Sequence, residues 1–270
     1  MLINRVGYLI FTNIEMIVAN RFLSLSVAGM YGALLTIPSN LITVANTVSG
    51  VWGPLILSKY SRDDYSGIDR VAKTSIKLIG LSIALPVGFV SGVSGEFLGF
   101  WLGPEFTAYK WVAAVMAFFV LINSLTSPLF GIYISMNKVE IPAIVTALTG
   151  VMYFIFSVLF VKRFGPMGLA AAGGLVLAVR NVFFITIYSA FLLKKKWWHY
   201  LRDLLHAPII TIIVALLSYG FVHLFRVKNI FELLIVGGGI SVVYLIGAYF
   251  LGLSQKEKEL IIGSIIRNKT

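Results

Sequence analysis

PMGLAAAGGLVLAVRNVFFITIYSAFLLKKK, residues 166–196, is a continuous apolar run that begins on small residues and ends on three lysines. Gly168, Ala170, Ala171, Ala172, Gly173 and Gly174 crowd its start, and Arg180 stands at its middle. At ~1.5 Å per helical residue, Arg180 lies ~20 Å from either end, near the centre of a hydrocarbon slab ~30 Å thick. A charge at that depth costs roughly 2.5 kcal/mol or more, so such a residue faces a bundle interior or a wet cavity. The run therefore reads as a membrane span built to hold one guanidinium.

The rest of the chain agrees. Of its 270 residues, 59% are hydrophobic and 12% charged, against roughly 25% charged in soluble domains. Its apolar runs have helical length and show no two-residue alternation, which excludes a spanning β-barrel. The expected fold is all-α, a polytopic membrane helix bundle of about eight transmembrane helices over 2–24, 27–57, 70–95, 108–136, 139–161, 167–193, 207–225 and 230–252. Lys and Arg concentrate in alternate joints (Lys59, Arg62, Arg70, Lys73 and Lys77, then Lys194, Lys195, Lys196 and Arg202). That bias places both termini in the cytoplasm. The domain reading is a six-helix lobe (1–193), a basic aromatic interfacial linker (194–206), two accessory transmembrane helices (207–252) and a cytoplasmic tail (253–270). Without cysteine there is neither a disulfide nor a thiolate metal site. The three histidines lack metal-ligand spacing, so no metal, cofactor or nucleic-acid partner is expected. A net charge of +11 suits membrane lipids or an anionic ligand.

Polar stripes interrupt three of the runs. Asn4, Tyr8, Thr12, Glu15 and Ala19 share one face of the first; Thr36, Asn40, Thr43 and Thr47 one face of the second; Pro142, Thr146, Thr149, Tyr153 and Ser157 one face of the fifth. Lipid offers such groups no hydrogen-bond partner, so the stripes point to a shared polar interior. Interhelical hydrogen bonding is the favoured reading of the hydroxyls, with a transport path as the alternative. Pro38, Pro86 and Pro128 predict bends. Glu15, the carboxylate deep in a span, fits either an ion-coupling site with Asn13 or a static pair with Arg180. Arg5 and Arg21, near the ends of the first helix, fit snorkelling to headgroups.

A succession of short motifs carries a resemblance: Asn13-Ile14-Glu15, Ala28-Gly29-Met30-Tyr31, Trp52-Gly53-Pro54, Trp101-Leu102-Gly103-Pro104-Glu105-Phe106, and Phe164-Gly165-Pro166-Met167-Gly168-Leu169-Ala170-Ala171 leading into Arg180-Asn181. In this order the chain resembles polysaccharide exporters, the O-antigen-type lipid-linked oligosaccharide flippases of the MATE-like multidrug/oligosaccharidyl-lipid/polysaccharide exporter superfamily, over residues 4–195. The resemblance implies the carboxy-terminal one of two six-helix lobes, followed by two accessory helices. It implies alternating access in a bacterial cytoplasmic (inner) membrane, moving a polyprenyl pyrophosphate oligosaccharide for surface polysaccharide such as lipopolysaccharide. A missing amino-terminal lobe and other polysaccharide assembly proteins are the implied partners. The residues expected to meet such a substrate are Arg180, Arg5, Arg21, Asn40 and Asn181, with Glu15 and Asn13 for a coupling ion. A cation-coupled multidrug extruder and a non-transporting scaffold are the alternatives. A membrane glycosyltransferase would need a large polar catalytic loop that these short joints do not supply, so an enzyme is not expected.

Overall fold

The computed structural model describes residues 13–252, which form helices and joints without a strand. Helix α1 covers 13–22. α2 (Leu25–Leu34), α3 (Thr36–Ser49) and α4 (Trp52–Tyr60) follow almost end to end. Proline explains both interruptions. Pro38 and Pro54 have no N–H to offer the carbonyls of Leu34 and Gly50, and the helix breaks at those two places. Pro128 acts alike on the carbonyl of Ser124, dividing α7 (Lys110–Leu125) from α8 (Ser127–Ser135). Pro86 does not: α5, Tyr65–Gly92, runs through it.

α5 is capped by Asp64, whose Oδ1 accepts the Gly67 amide at 2.8 Å. That bond, helped by Lys59 at 3.1 Å, holds the exposed Asp64 carboxyl below its ordinary range. After α5 the short α6 (Ser94–Trp101) leads through Gly103, at φ 121°, into a 3₁₀ turn over Pro104–Tyr109.

α9, Glu140–Val179, continues through a π-helical turn at Arg180–Ile185 into α10, Thr186–Leu192. The apolar stretch Glu140–Leu192 counts 53 residues; straight, it would run ~80 Å, far beyond one hydrocarbon slab. It is not straight. Gly165 sits at φ 57°, ψ −142° and splits α9 into limbs 140–164 and 166–179. A Cβ on Gly168 would stand 2.2 Å from the carbonyl oxygen of Phe160, and one on Gly173 would stand 2.6 Å from the Tyr153 hydroxyl. Such neighbours exist only if the limbs run back on each other. Gly165 is the turn of an antiparallel hairpin, a left-handed position at which a side chain would be strained. Six described stretches are long and apolar enough to cross a membrane, and the turn at Gly165 divides one of them into two limbs. The protein is a multi-pass membrane helix bundle.

The segment after α10 contains α11 (Leu201–Leu204) and leads to α12 (His206–Leu224) and α13 (Ile230–Gly247). It is pinned to the first turns of α5: Tyr200 donates its hydroxyl to Asp69 at 2.9 Å, and His199 Nε2 meets the same oxygen at 2.7 Å. Burial and the Asp69 charge push the Tyr200 phenol above the ordinary tyrosine range, so it remains a donor.

α5 organises the packing. Ile68, Ala72, Ile76, Ile79, Ile83 and Val87 are fully buried at helical spacing. On another face Gly80, Ala84, Gly88 and Gly92, four residues apart, form a row of small residues along α12. A Cβ on Gly80 would lie 2.8 Å from that of Ala207, on Gly88 2.7 Å from that of Val214, and on Gly92 2.3 Å from the carbonyl oxygen of Ala215. Close backbone approach of this kind is how membrane helices gain dispersion energy where lipid is as apolar as the side chains. Gly92→Val therefore forces two backbones apart, at an overpacking cost of about 1–3 kcal/mol. It is expected to lower the midpoint of thermal unfolding in detergent, whereas Gly238→Val, in open space, is expected to leave the midpoint unchanged.

Candidate functional site

Three helices converge on Glu15. Its Oε2 accepts the hydroxyl of Tyr31 from α2 at 2.9 Å, and its Oε1 that of Tyr153 from the first limb of α9 at 2.5 Å. Both tyrosines are buried, and Ile14, Val18 and Ala19 bury one face of α1 in the core. Gly173 on the second limb forms the fourth wall: a Cβ there would stand 2.5 Å from Glu15 Oε1. The small face at the start of the sixth run thus has a local reason, since it lets the hairpin close over a carboxylate. Asn13 and Asn20 are exposed.

Arg180 does not pair with Glu15. Its Nε donates to Asn181 Oδ1 at 2.9 Å, and Asn181 Nδ2 donates to Asn123 Oδ1 on α7 at 3.1 Å. Asn181 is 3% exposed, so the guanidinium is tethered to a buried amide relay. Among the described residues no carboxylate pairs with Arg180 and its terminal nitrogens make no hydrogen bond, while the Tyr133 phenol stands near enough to interact with its charge. The arginine opens the π-helical turn, in which the Thr186 hydroxyl bonds the carbonyls of Val182 and Phe183. Wide turns of this type recur at functional sites. Asn123 had a signal in the sequence, a single asparagine inside KWVAAVMAFFVLINSL, whereas the π turn had none. Beside Arg180 an apolar groove of about 370 Å³ opens between the limbs, lined by Met152, Phe156, Phe160, Leu175, Val179 and Phe183 among others. A cavity of about 470 Å³ lies elsewhere, between α5 and α12, with Lys73, Asp203 and His206 in its wall.

The stripe of α3 faces outward. Thr36, Asn40, Thr43 and Thr47 are all exposed. The hydroxyls of Thr36, Thr43 and Thr47 donate to carbonyls three or four residues earlier at 2.7–3.0 Å, as Ser39 and Thr149 do on their own helices. Interhelical bonding is thus not what these hydroxyls do; a cross-helix hydroxyl pair forms instead between Ser49 and Ser127 at 2.9 Å. The fifth stripe turns inward at Thr149, Tyr153 and Ser157, while Thr146 is exposed. The two stripes therefore do not share one interior. Arg21 is exposed at the end of α1, and no hydrogen bond joins Asn40 to the Arg180 relay. Asn4, Arg5, Tyr8 and Thr12 lie outside the described residues, as does the tail from 253.

Over 269 residues the chain is 27% identical to a Bacillus subtilis protein named uncharacterized membrane protein EpsK, a match covering 99% of this chain and 53% of that one. Over 266 residues it is 22% identical to the probable low-salt glycan biosynthesis flippase Agl15 of Haloferax volcanii, covering 98% of this chain and 55% of that one. It spans about half the length of both curated relatives. No protein-family model matches the chain, and no solved structure does.

Proposed function

We propose that this chain is the carboxy-terminal half of a flippase that moves a lipid-linked oligosaccharide across the cytoplasmic membrane by alternating access, and that it carries no enzymatic activity. The observation that carries the reading is the exposed polar face of α3 in a span that must otherwise meet lipid. Lipid cannot hydrate Asn40, and protein or water must cover it. A second lobe facing it across a wet cavity would do so, in keeping with relatives twice this length, one of them named a glycan flippase. In this reading eight helices span, both termini are cytoplasmic, 1–193 is the transport lobe, 194–206 the linker, 207–252 an accessory pair and 253–270 the tail. Asn40 and Arg180 meet the substrate, Asn181 positions Arg180, Arg5 and Arg21 lie toward the headgroups, and Glu15, near Asn13, is the group for a coupling ion. Midplane sites between repeats are the common plan of such carriers.

The chain lacks cysteine, so single cysteines report cleanly. In membrane vesicles Thr43→Cys is expected to react with a water-soluble maleimide about tenfold faster than Leu216→Cys, which is exposed on the apolar side of α12. With an amino-terminal half co-expressed, Asn40→Leu is expected to cut delivery of lipid-linked oligosaccharide while membrane insertion is unchanged. Equal, slow labelling at both positions would remove the wet face and the reading with it.

A further inference from the structure

We propose that the cavity between α5, the start of α12 and the end of α13 seats the phosphodiester headgroup of an anionic phospholipid, with Lys73 and Lys77 on the phosphate. The proposal needs only the membrane helix bundle and is independent of the flippase reading.

Register gathers the cations at one level. Gly80, Gly88 and Gly92 meet Ala207, Val214 and Ala215 in that order, so α5 and α12 run side by side in the same direction. Lys73 and Lys77, one turn apart on α5, therefore stand before the level at which α12 begins to pack, beside α11, whose Asp203 shares the cavity wall. His206, the first residue of α12, lines it as well. Farther along both helices the wall turns to hydrocarbon at Leu81, Ala207 and Ile210. Gly252, on the π-helical turn Ala248–Gly252 that follows α13, closes the third side. Cationic at one end and apolar at the other, the cavity matches the junction of a lipid headgroup with its acyl chains.

Depth agrees. Lys194, Lys195, Lys196, Trp197 and Trp198 are all exposed, a basic and aromatic stretch of the kind that marks a membrane–water interface. His199 and Tyr200, next in the chain, bind Asp69, one turn before Lys73. The two cavity lysines are thus held beside that interface, where resident phospholipids keep their phosphates.

Charge and polarity select the ligand. Among the described residues Lys73 makes neither a hydrogen bond nor an ion pair. Two lysines against one carboxylate leave the wall cationic, and lysine holds a phosphate as a point charge. Basic pockets between membrane helices take anionic headgroups in this way. Asp203 Oδ2 is buried and has no hydrogen-bond partner among the described residues. An acceptor left so is costly, and the glycerol hydroxyls of a phosphatidylglycerol headgroup are donors of the kind it lacks. A volume of about 470 Å³ lies within the ~300–1,000 Å³ of ligand sites, enough for the headgroup and the first carbons of the chains.

The test is native mass spectrometry of the full chain from neutral-detergent micelles loaded with equal amounts of phosphatidylglycerol and phosphatidylcholine bearing the same acyl chains. The protein is expected to retain about tenfold more of the anionic lipid, the worth of a charge-assisted contact. Lys73→Gln and Lys77→Gln together are expected to abolish the preference, whereas Lys194→Gln and Lys195→Gln together, on the exposed stretch, are expected to preserve it. A second measurement serves if the first pair does not accumulate. The chain has no cysteine, so Thr74→Cys in the cavity wall reports alone: phosphatidylglycerol is expected to slow its reaction with a maleimide about tenfold relative to phosphatidylcholine, and to leave Lys195→Cys unchanged. Equal retention of the two lipids, a preference that survives loss of Lys73 and Lys77, a preference lost with Lys194 and Lys195, or equal labelling of Thr74→Cys in both lipids would each overturn the proposal. So would displacement of phosphatidylglycerol by an equal concentration of glycerophosphoglycerol, since the ligand would then be a soluble phosphodiester and not a lipid.

Discussion

Glu15→Ala is expected to destabilise the bundle by about 2 kcal/mol or more, because it strands hydroxyls that have left water to meet this carboxylate. Two magnitudes compete here. Polar contacts between membrane helices average ~0.6 kcal/mol, since a separated helix finds other partners; a buried donor left unpaired costs about 1–3 kcal/mol. The geometry favours the second for Tyr31, which is 0% exposed and has no hydrogen-bond partner other than Glu15 among the described residues. Tyr153 adds a second bond to the same carboxylate from a helix 138 positions away in sequence. Thermal unfolding in detergent checks the total, and a double-mutant cycle checks the cause. If the Glu15–Tyr31 bond is responsible, Tyr31→Phe will be cheaper in the Glu15→Ala background than alone, with a coupling of about 1 kcal/mol. Strict additivity of the two changes would refute the arrangement.

The sequence showed that Glu15 and Arg180 were exceptional, because a charge inside an apolar run is visible without knowing its neighbours. Their partners were not visible. Tyr31 and Tyr153 read as ordinary span residues, and nothing local says that both hydroxyls end on one carboxylate. Pairing Glu15 with Arg180 looked equally sound on paper, since charge complementarity fixes which groups could meet and only helix rotation fixes which do. Most spans were legible from apolar length, and the breaks at Leu34, Gly50 and Ser124 follow from the prolines four residues later. The small-residue row on α5 was legible in principle, as glycines and alanine at 80, 84, 88 and 92, but a period of four names a face without naming α12 as its partner. The α3 stripe is legible as one face, and in this chain that face lies exposed and apart from the inward part of the fifth stripe. A periodicity says which residues point together; whether protein stands opposite depends on the rest of the assembly.

Gly173→Ala is expected to have the larger effect of the two, although it adds a single methyl group. Its Cβ would stand 2.5 Å from Glu15 Oε1, 2.6 Å from the Tyr153 hydroxyl and 2.7 Å from Tyr153 Cε2, all below the 3.0 Å that real Cβ atoms keep. Gly174 makes the useful contrast. The nearest atoms to a Cβ there all belong to the ring of Phe119, an apolar side chain whose displacement breaks no hydrogen bond. At position 173 whatever yields is part of the Glu15 site: either Tyr153 swings away and the carboxylate loses a donor, or the limbs of the hairpin part. The cost is then overpacking, about 1–3 kcal/mol, plus a lost bond to a charged or polar acceptor of about 1.5–3 kcal/mol. The two terms separate in a second background. With Glu15→Ala already made, the first obstacle is gone and the bond is already lost, so Gly173→Ala should cost markedly less there than in the unaltered chain. A Gly173→Ala protein that melts where the unaltered one does would mean that the second limb does not close over Glu15, and the convergence of helices at this carboxylate would have to be abandoned.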